Sequence, residues 1–161
     1  MDFLNQLEAS AFAQWLSISM AGFPTLIALH SVGMAVAVGL SLIVTLHLYR
    51  IVDGLHADLL PRLLTLAIWG FTLNFVTGLA LFITRGQDYI QSLIFLTKMA
   101  LVLISAIAMF WLRGRLTPTE GVFKPAAVDS LARRVSLFAT ITWFGGVVTG
   151  RLIAYLSDIY R

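Results

Sequence analysis

Residues 25–49 read TLIALHSVGMAVAVGLSLIVTLHLY, a stretch that is apolar almost throughout and carries no formal charge. A run of about 18 or more apolar residues is typical of a helix that crosses a lipid bilayer. Two histidines, His30 and His47, nevertheless lie within it. An ionisable side chain is costly inside a membrane span and therefore indicates a functional site by default. His30 is the residue around which the rest of the chain is interpreted.

The composition of the chain is that of a membrane protein. Of its 161 residues, 59% are hydrophobic and only 12% are charged, whereas charged residues make up about 25% of a soluble domain. The sequence has no cysteine, which excludes a disulfide, a thiolate metal site and a thiol nucleophile. The formal net charge of +3 does not indicate nucleic-acid binding, because the basic residues lie between apolar runs, as topology signals do. No hydrolytic or phosphate-binding motif is found.

Three further apolar runs follow the first, separated by short segments that hold proline, glycine or charged residues. Near the N-terminus, apolar residues recur at helical spacing on one face, which favours a helix lying in the membrane interface. The sequence therefore predicts an all-α protein, a four-transmembrane-helix bundle with an N-terminal interfacial amphipathic helix, built as one membrane domain over residues 1–161. The interfacial helix is expected at about residues 2–19, and the spans at about 25–49, 63–84, 90–112 and 135–157.

Lysine and arginine are unevenly divided between the two ends of the predicted spans. The segments after spans one and three hold most of them: Arg50, Arg62, Arg113, Arg115, Lys124, Arg133 and Arg134. The opposite ends hold Arg85 and Arg161. Because cytoplasmic loops carry the excess of positive charge, both termini are expected outside. The chain is accordingly predicted to be a multi-pass protein of the bacterial cytoplasmic (inner) membrane.

Each predicted span carries one polar side chain at mid-membrane or in the outer half: His30, Asn74, Lys98 and Arg151. Their depths follow from a rise of about 1.5 Å per helical residue. Polar residues in spans normally face the bundle interior or a cavity, so we expect the four to form one site. The alternative is structural, with the two cations extending to the lipid headgroups and Asn74 joining two helices.

Two cations with no carboxylate nearby favour a negatively charged ligand, since buried charge needs a partner. Haem b meets this requirement, because His30 would be an axial ligand of the haem iron and Lys98 and Arg151 would pair with the propionates. The second axial ligand stays open between Lys98, Met34, a water and a His30 from a second copy. The leading hypothesis is that the protein binds haem b and serves in electron transfer or a coupled oxidation. On this hypothesis it could be a membrane oxidoreductase that works with a redox partner.

Other interpretations stay open. The site would also suit a binding or transport module for a small anion, lipid or quinone headgroup. Copper is a further alternative, because His30 and Met34 would supply an imidazole and a thioether one turn apart. The chain would otherwise be a structural subunit without a cofactor. The Gly146-x-x-x-Gly150 motif permits a homodimer, and His47 is expected to be an interfacial residue.

Four segments carry a resemblance to known proteins: LHSVG in span one, WGFTLNFVTGLALF in span two, FLTKMALVL in span three and WFGGVVTGRLIAY in span four. Over nearly the whole chain the pattern resembles a family of small bacterial four-helix membrane proteins of unknown function. That family often has a basic residue after an Asp at the end of span one, where this chain has LHLYR over residues 46–50.

A more distant likeness is to the haem-containing membrane protoporphyrinogen oxidases and to the copper-resistance D proteins. The oxidases have an essential histidine on an early span and an essential lysine on a later one. By position, this resemblance implies roles for His30 and Lys98.

Overall fold

The computed structural model describes residues 2–56, 58–117 and 129–159, which are helical over most of their length and contain no strand. The helices are, in chain order, α1 Asp2–Glu8, α2 Ala11–Ile18, α3 Gly22–Leu48, α4 Leu59–Thr84, α5 Gly86–Gln91, α6 Leu93–Leu116 and α7 Ser130–Ile159. Four of them, α3, α4, α6 and α7, are long and apolar enough to cross a membrane. The predicted all-α bundle is confirmed, and the chain is a multi-pass membrane protein.

The helix bounds differ from the predicted spans where local capping intervenes. The predicted interfacial helix is two helices, because the Ser10 side chain accepts a hydrogen bond from the Ala13 backbone at 3.2 Å and starts α2. The third span begins later than expected, because Ser92 caps the Phe95 backbone N–H and separates α5 from α6. Pro24 lies in the first turn of α3, where the missing N–H is tolerated.

The four long helices form two helical hairpins, α3 with α4 and α6 with α7, which pack along their lengths. The hairpins then meet through α3 against α7 and α4 against α6. One half of the bundle contains the start of α3, the end of α4, the start of α6 and the end of α7. We call it the upper half. The other half is the lower half.

Glycine brings the first hairpin into backbone contact. A Cβ atom added to Gly33 would lie 2.6 Å from the Asn74 backbone nitrogen and 2.7 Å from the Gly70 carbonyl oxygen. No larger residue fits there unless α3 and α4 move apart, because the nearest atoms belong to the backbone. This close approach sets His30, one turn above Gly33, directly against α4.

The apolar core lies in the lower half of the bundle. Its most enclosed members come from all four long helices: Val44 and Leu48, Leu60 and Leu64, Met109 and Leu116, and Ala132. Hydroxyl bonds add to it, since Thr45 donates to the Ser136 carbonyl at 3.1 Å and lies 2.9 Å from the Thr140 hydroxyl. At the lower end Asp129 accepts hydrogen bonds from the Ala132 backbone and from Arg115, and thereby caps α7 and ties it to α6.

Fewer side chains are buried in the upper half. Among the described side chains, none is buried over residues 22–32 of α3, 93–104 of α6 or 147–153 of α7. At this level α4 contributes two buried polar residues, Asn74 and Thr77. The upper half therefore has no closed apolar core, and the polar residues predicted to form a site lie at this level.

The short N-terminal helices pack on the upper end, against α3, α4 and α5. Glu8 accepts a hydrogen bond from the Gln87 backbone N–H at 2.8 Å, and the side chains of Asn5 and Gln87 are hydrogen-bonded. In α2, Ala13 and Leu16 are buried. Large apolar side chains on the other faces of α2 stay exposed, which suits a helix at the membrane interface.

Candidate functional site

The imidazole of His30 is held by α4 through one of its two nitrogens. His30 Nδ1 lies 2.9 Å from the Asn74 carbonyl oxygen and 3.2 Å from the Thr77 hydroxyl. A carbonyl oxygen only accepts hydrogen bonds, so Nδ1 must carry the proton and donate. In a neutral imidazole the other nitrogen, Nε2, then keeps a free lone pair.

Asn74 also binds α3 in the opposite direction. Its side-chain amide donates to the His30 carbonyl oxygen at 2.8 Å. The side chain of Asn74 therefore joins α3 and α4, as the structural interpretation of this residue predicts. The backbone carbonyl of Asn74 orients the imidazole of His30. A Cβ atom added to Gly78 would lie 3.1 Å from His30 Cε1, so the ring lies directly over that glycine.

The Nε2 atom of His30 makes no hydrogen bond within the part of the chain that the structure describes. The side chain is only half-buried. A histidine that binds a metal almost always donates its other ring N–H to a carboxylate, a backbone carbonyl or a water. The arrangement of His30 matches that requirement, with Asn74 supplying the carbonyl.

Lys98 lies on α6, on the opposite hairpin, and its side chain is half-buried. The side-chain hydrogen bonds of His30 go to α4 and not to Lys98. The stem of Lys98 packs on α7, where a Cβ atom added to Gly150 would lie 3.4 Å from Lys98 Cε and 3.6 Å from Nζ. Within the described residues Lys98 pairs with no carboxylate, and α3, α4 and α6 contain none.

Two of the predicted site residues lie at the edge of this arrangement. Arg151 follows Gly150 on α7, and its side chain is exposed; no hydrogen bond joins it to the other site residues among those described. Met34 packs against the apolar core of the lower half. No group of three His, Asp or Glu residues within the described ranges is placed to hold a metal ion, so the copper interpretation rests on His30 and Met34 alone.

The second histidine of α3 has a separate role at the lower end. His47 Nδ1 lies 3.0 Å from the Val52 carbonyl oxygen, in the turn that follows α3. Seventeen helical residues separate the two histidines, or about 25 Å along the axis. His47 and His30 therefore cannot share a ligand within one chain.

Thr77 is a further site residue, and the sequence alone does not indicate its role. The sequence places it on the same stripe of α4 as Asn74, one turn further on. What it does not give is the rotation of α3 against α4, which decides whether Thr77 faces His30 or another neighbour. The hydroxyl also donates to the Leu73 carbonyl oxygen at 2.7 Å, which leaves its lone pairs available to the imidazole N–H.

The glycines considered for a dimer face α6 within one chain. A Cβ atom added to Gly146 would lie 3.2 Å from a methyl carbon of Val102, and Gly150 contacts Lys98 as described above. Close packing of α6 on α7 accounts for both glycines. Dimerisation stays a prediction.

Comparison with protein-family models, curated protein sequences and solved structures finds no match to this chain. The resemblance drawn from the four sequence segments therefore stays a prediction, and the candidate site is argued from its own geometry.

Proposed function

We propose that this protein binds haem b in the upper half of its bundle and serves in electron transfer or a coupled oxidation. The observation that carries the proposal is the hydrogen bond from His30 Nδ1 to the Asn74 carbonyl oxygen. It leaves Nε2 with a free lone pair and fixes the ring plane, which is the state in which the imidazole of His30 would hold a haem iron.

The charges at this level suit the rest of the cofactor. Haem b carries two propionates, and a half-buried ammonium such as that of Lys98, which pairs with no carboxylate of the described residues, favours an anion. Arg151 lies beside Gly150, on which the Lys98 stem packs, and its exposed side chain would serve the second propionate. A bound haem would supply a one-electron redox centre within the membrane.

The exposure of side chains in the upper half supports the same proposal. A macrocycle needs room between helices, and the described side chains of α3, α6 and α7 are not buried at this level. The lower half, by contrast, is filled by the apolar core and by hydroxyl bonds between α3 and α7. The proposed cofactor would complete the packing of the upper half.

The absorption spectrum of the purified protein tests this proposal. Protein from cells supplied with a haem precursor is expected to show a Soret band, which His30→Ala loses. His47→Ala is the matched control, because it removes the same side chain from the opposite end of the same helix, and it should keep the band. A colourless wild-type preparation, or a Soret band retained in His30→Ala, would contradict the proposal.

The role of Lys98 gives a second measurement on the same protein. Lys98→Gln is expected to weaken haem binding about tenfold or more, because it removes a charge-assisted hydrogen bond to a propionate. Haem titration followed by absorbance measures the change. An unchanged dissociation constant would show that Lys98 does not contact the haem. The proposed role of His30 does not depend on this result.

The second candidate function is the binding or transport of a small anion or of a lipid or quinone headgroup at the same site. The half-buried Lys98, which pairs with no carboxylate in the described part of the chain, favours it, since an ammonium binds an anionic or polar group without a metal. Such a ligand should raise the unfolding temperature of cofactor-free protein, and Arg151→Ala should reduce that rise. Thermal unfolding with a soluble quinone analogue or a fatty acid distinguishes this candidate from haem, because neither compound gives a Soret band.

A further inference from the structure

We infer that the lower end of the bundle carries a binding site for an anionic phospholipid in the seam between α4 and α6. The site is separate from His30 and does not depend on the proposed haem. Its central contact is a hydrogen bond from Arg113 Nε on α6 to the Thr65 hydroxyl on α4, at 2.8 Å.

That contact fixes the orientation of the Arg113 guanidinium. The Thr65 hydroxyl donates its own proton to the Pro61 carbonyl oxygen at 2.8 Å and accepts from Arg113. The two terminal nitrogens of Arg113 make no hydrogen bond within the described residues, so their donors stay available. A guanidinium presents such donors in the planar fork that matches two oxygens of a phosphate.

Arg62 adds a second positive charge to the same seam. It lies three residues before Thr65 and therefore on the same face of α4, and its side chain is exposed. Asp58 lies one turn before Arg62 but forms no ion pair with it. In the described part of the chain the one ion pair joins Arg115 to Asp129, which leaves Arg62 and Arg113 without a carboxylate.

An apolar surface continues from this pair toward the middle of the bundle. Trp69 lies four residues beyond Thr65 on the same stripe of α4 and is 67% exposed. Phe110 lies three residues before Arg113 on α6 and is 51% exposed. A basic pair at the end of an exposed apolar seam fits a molecule with a phosphate headgroup and an acyl chain, which is the chemistry of an anionic phospholipid.

Native mass spectrometry of the detergent-solubilised protein with equal amounts of phosphatidylglycerol and phosphatidylcholine tests the site. The wild type is expected to retain phosphatidylglycerol in preference to phosphatidylcholine. Arg62→Gln and Arg113→Gln should each weaken its apparent affinity about fivefold. Two independent variants are used so that a folding defect in one does not decide the outcome.

Arg134→Gln is the matched control, because it removes the same exposed charge from the same end of the bundle but from α7. It should change the affinity less than twofold. An equal loss in this control, or no preference for phosphatidylglycerol in the wild type, would overturn the proposed site. Binding of inorganic phosphate alone with the same apparent affinity would overturn the assignment to a lipid, since it would show that the acyl chain adds nothing.

Discussion

The backbone carbonyl of Asn74 decides which nitrogen of His30 carries the proton. The sequence predicts related depths for His30 and Asn74, because depth follows directly from position in a helix. It did not give the tautomer, since that depends on which atom of α4 faces the imidazole. The free Nε2 is thus a consequence of helix packing, and the residue type alone does not predict it.

Asp129 gives a prediction at the scale of one residue. The hydrogen bond from the Ala132 backbone, followed by that from the Arg115 side chain, lowers the pKa of Asp129 from its ordinary value of 3.8. A carboxyl whose pKa is lowered by folding stabilises the native state above that ordinary value, and the contribution is lost as pH falls through the lower folded-state pKa.

The variant Asp129→Asn should therefore lose this pH dependence. Below about pH 4 the unfolding temperature of the wild type should fall more steeply than that of the variant, because an amide has no charge to lose. Thermal unfolding over a series of acidic buffers measures both. Parallel curves for the two proteins would show that the Asp129 carboxylate does not stabilise the junction of α6 and α7.

At the scale of the helices, the long apolar runs determined what could be predicted. Four spans follow from hydrophobicity alone, and the described part of the chain contains four such helices. The breaks at Ser10 and Ser92 were not predicted. A serine can lie inside a helix or cap its first turn, and the residue type alone does not show which of the two it does. The pairing of Gly33 with Gly70 also depends on helix rotation, which a stripe of small residues does not specify.

The contact between α3 and α4 gives a prediction with an internal control. Gly33→Ala should lower the free energy of unfolding by about 1–3 kcal/mol, because its Cβ atom would meet backbone atoms of α4. Gly39→Ala, on the same helix, places its Cβ atom where nothing lies within 4 Å. It should be neutral or raise stability by up to about 1 kcal/mol through helix propensity.

Equilibrium unfolding in mixed detergent micelles measures both variants. A haem titration of Gly33→Ala adds a functional test, since a shift of α3 against α4 should also disturb the His30 hydrogen bond and weaken binding. Equal stability of the two glycine variants would mean that the close approach of α3 and α4 does not limit the packing.

For the whole molecule, the main finding is the contrast between a lower half with a buried apolar core and an upper half in which few of the described side chains are buried. The sequence predicts His30, Asn74, Lys98 and Arg151 at one level, and the structure joins the first two directly. Lys98 lies near the start of α6, in the same half of the bundle. Arg151 and Met34 were predicted from depth or spacing alone. Their direction around the helix axis, which decides whether they face the site, could not be predicted.

The orientation of the bundle is a prediction for the whole chain. Because the chain has no cysteine, single cysteines can be introduced at exposed positions at the two ends, as Asp53→Cys in the turn after α3 and Asp88→Cys in α5. With both termini outside, a membrane-impermeant maleimide added to intact cells should label Asp88→Cys and not Asp53→Cys. The reverse labelling pattern would overturn the predicted orientation.

Nitrogen NMR of the ring atoms in protein labelled at its three histidines tests the free Nε2 of His30 most directly. In cofactor-free protein, His30 is predicted to be neutral, with Nδ1 protonated and Nε2 bare. Addition of haemin should then remove or strongly shift the His30 Nε2 signal while the His47 and His56 signals stay in place. A proton found on His30 Nε2, or a His30 spectrum that haemin leaves unchanged, would contradict the proposed site.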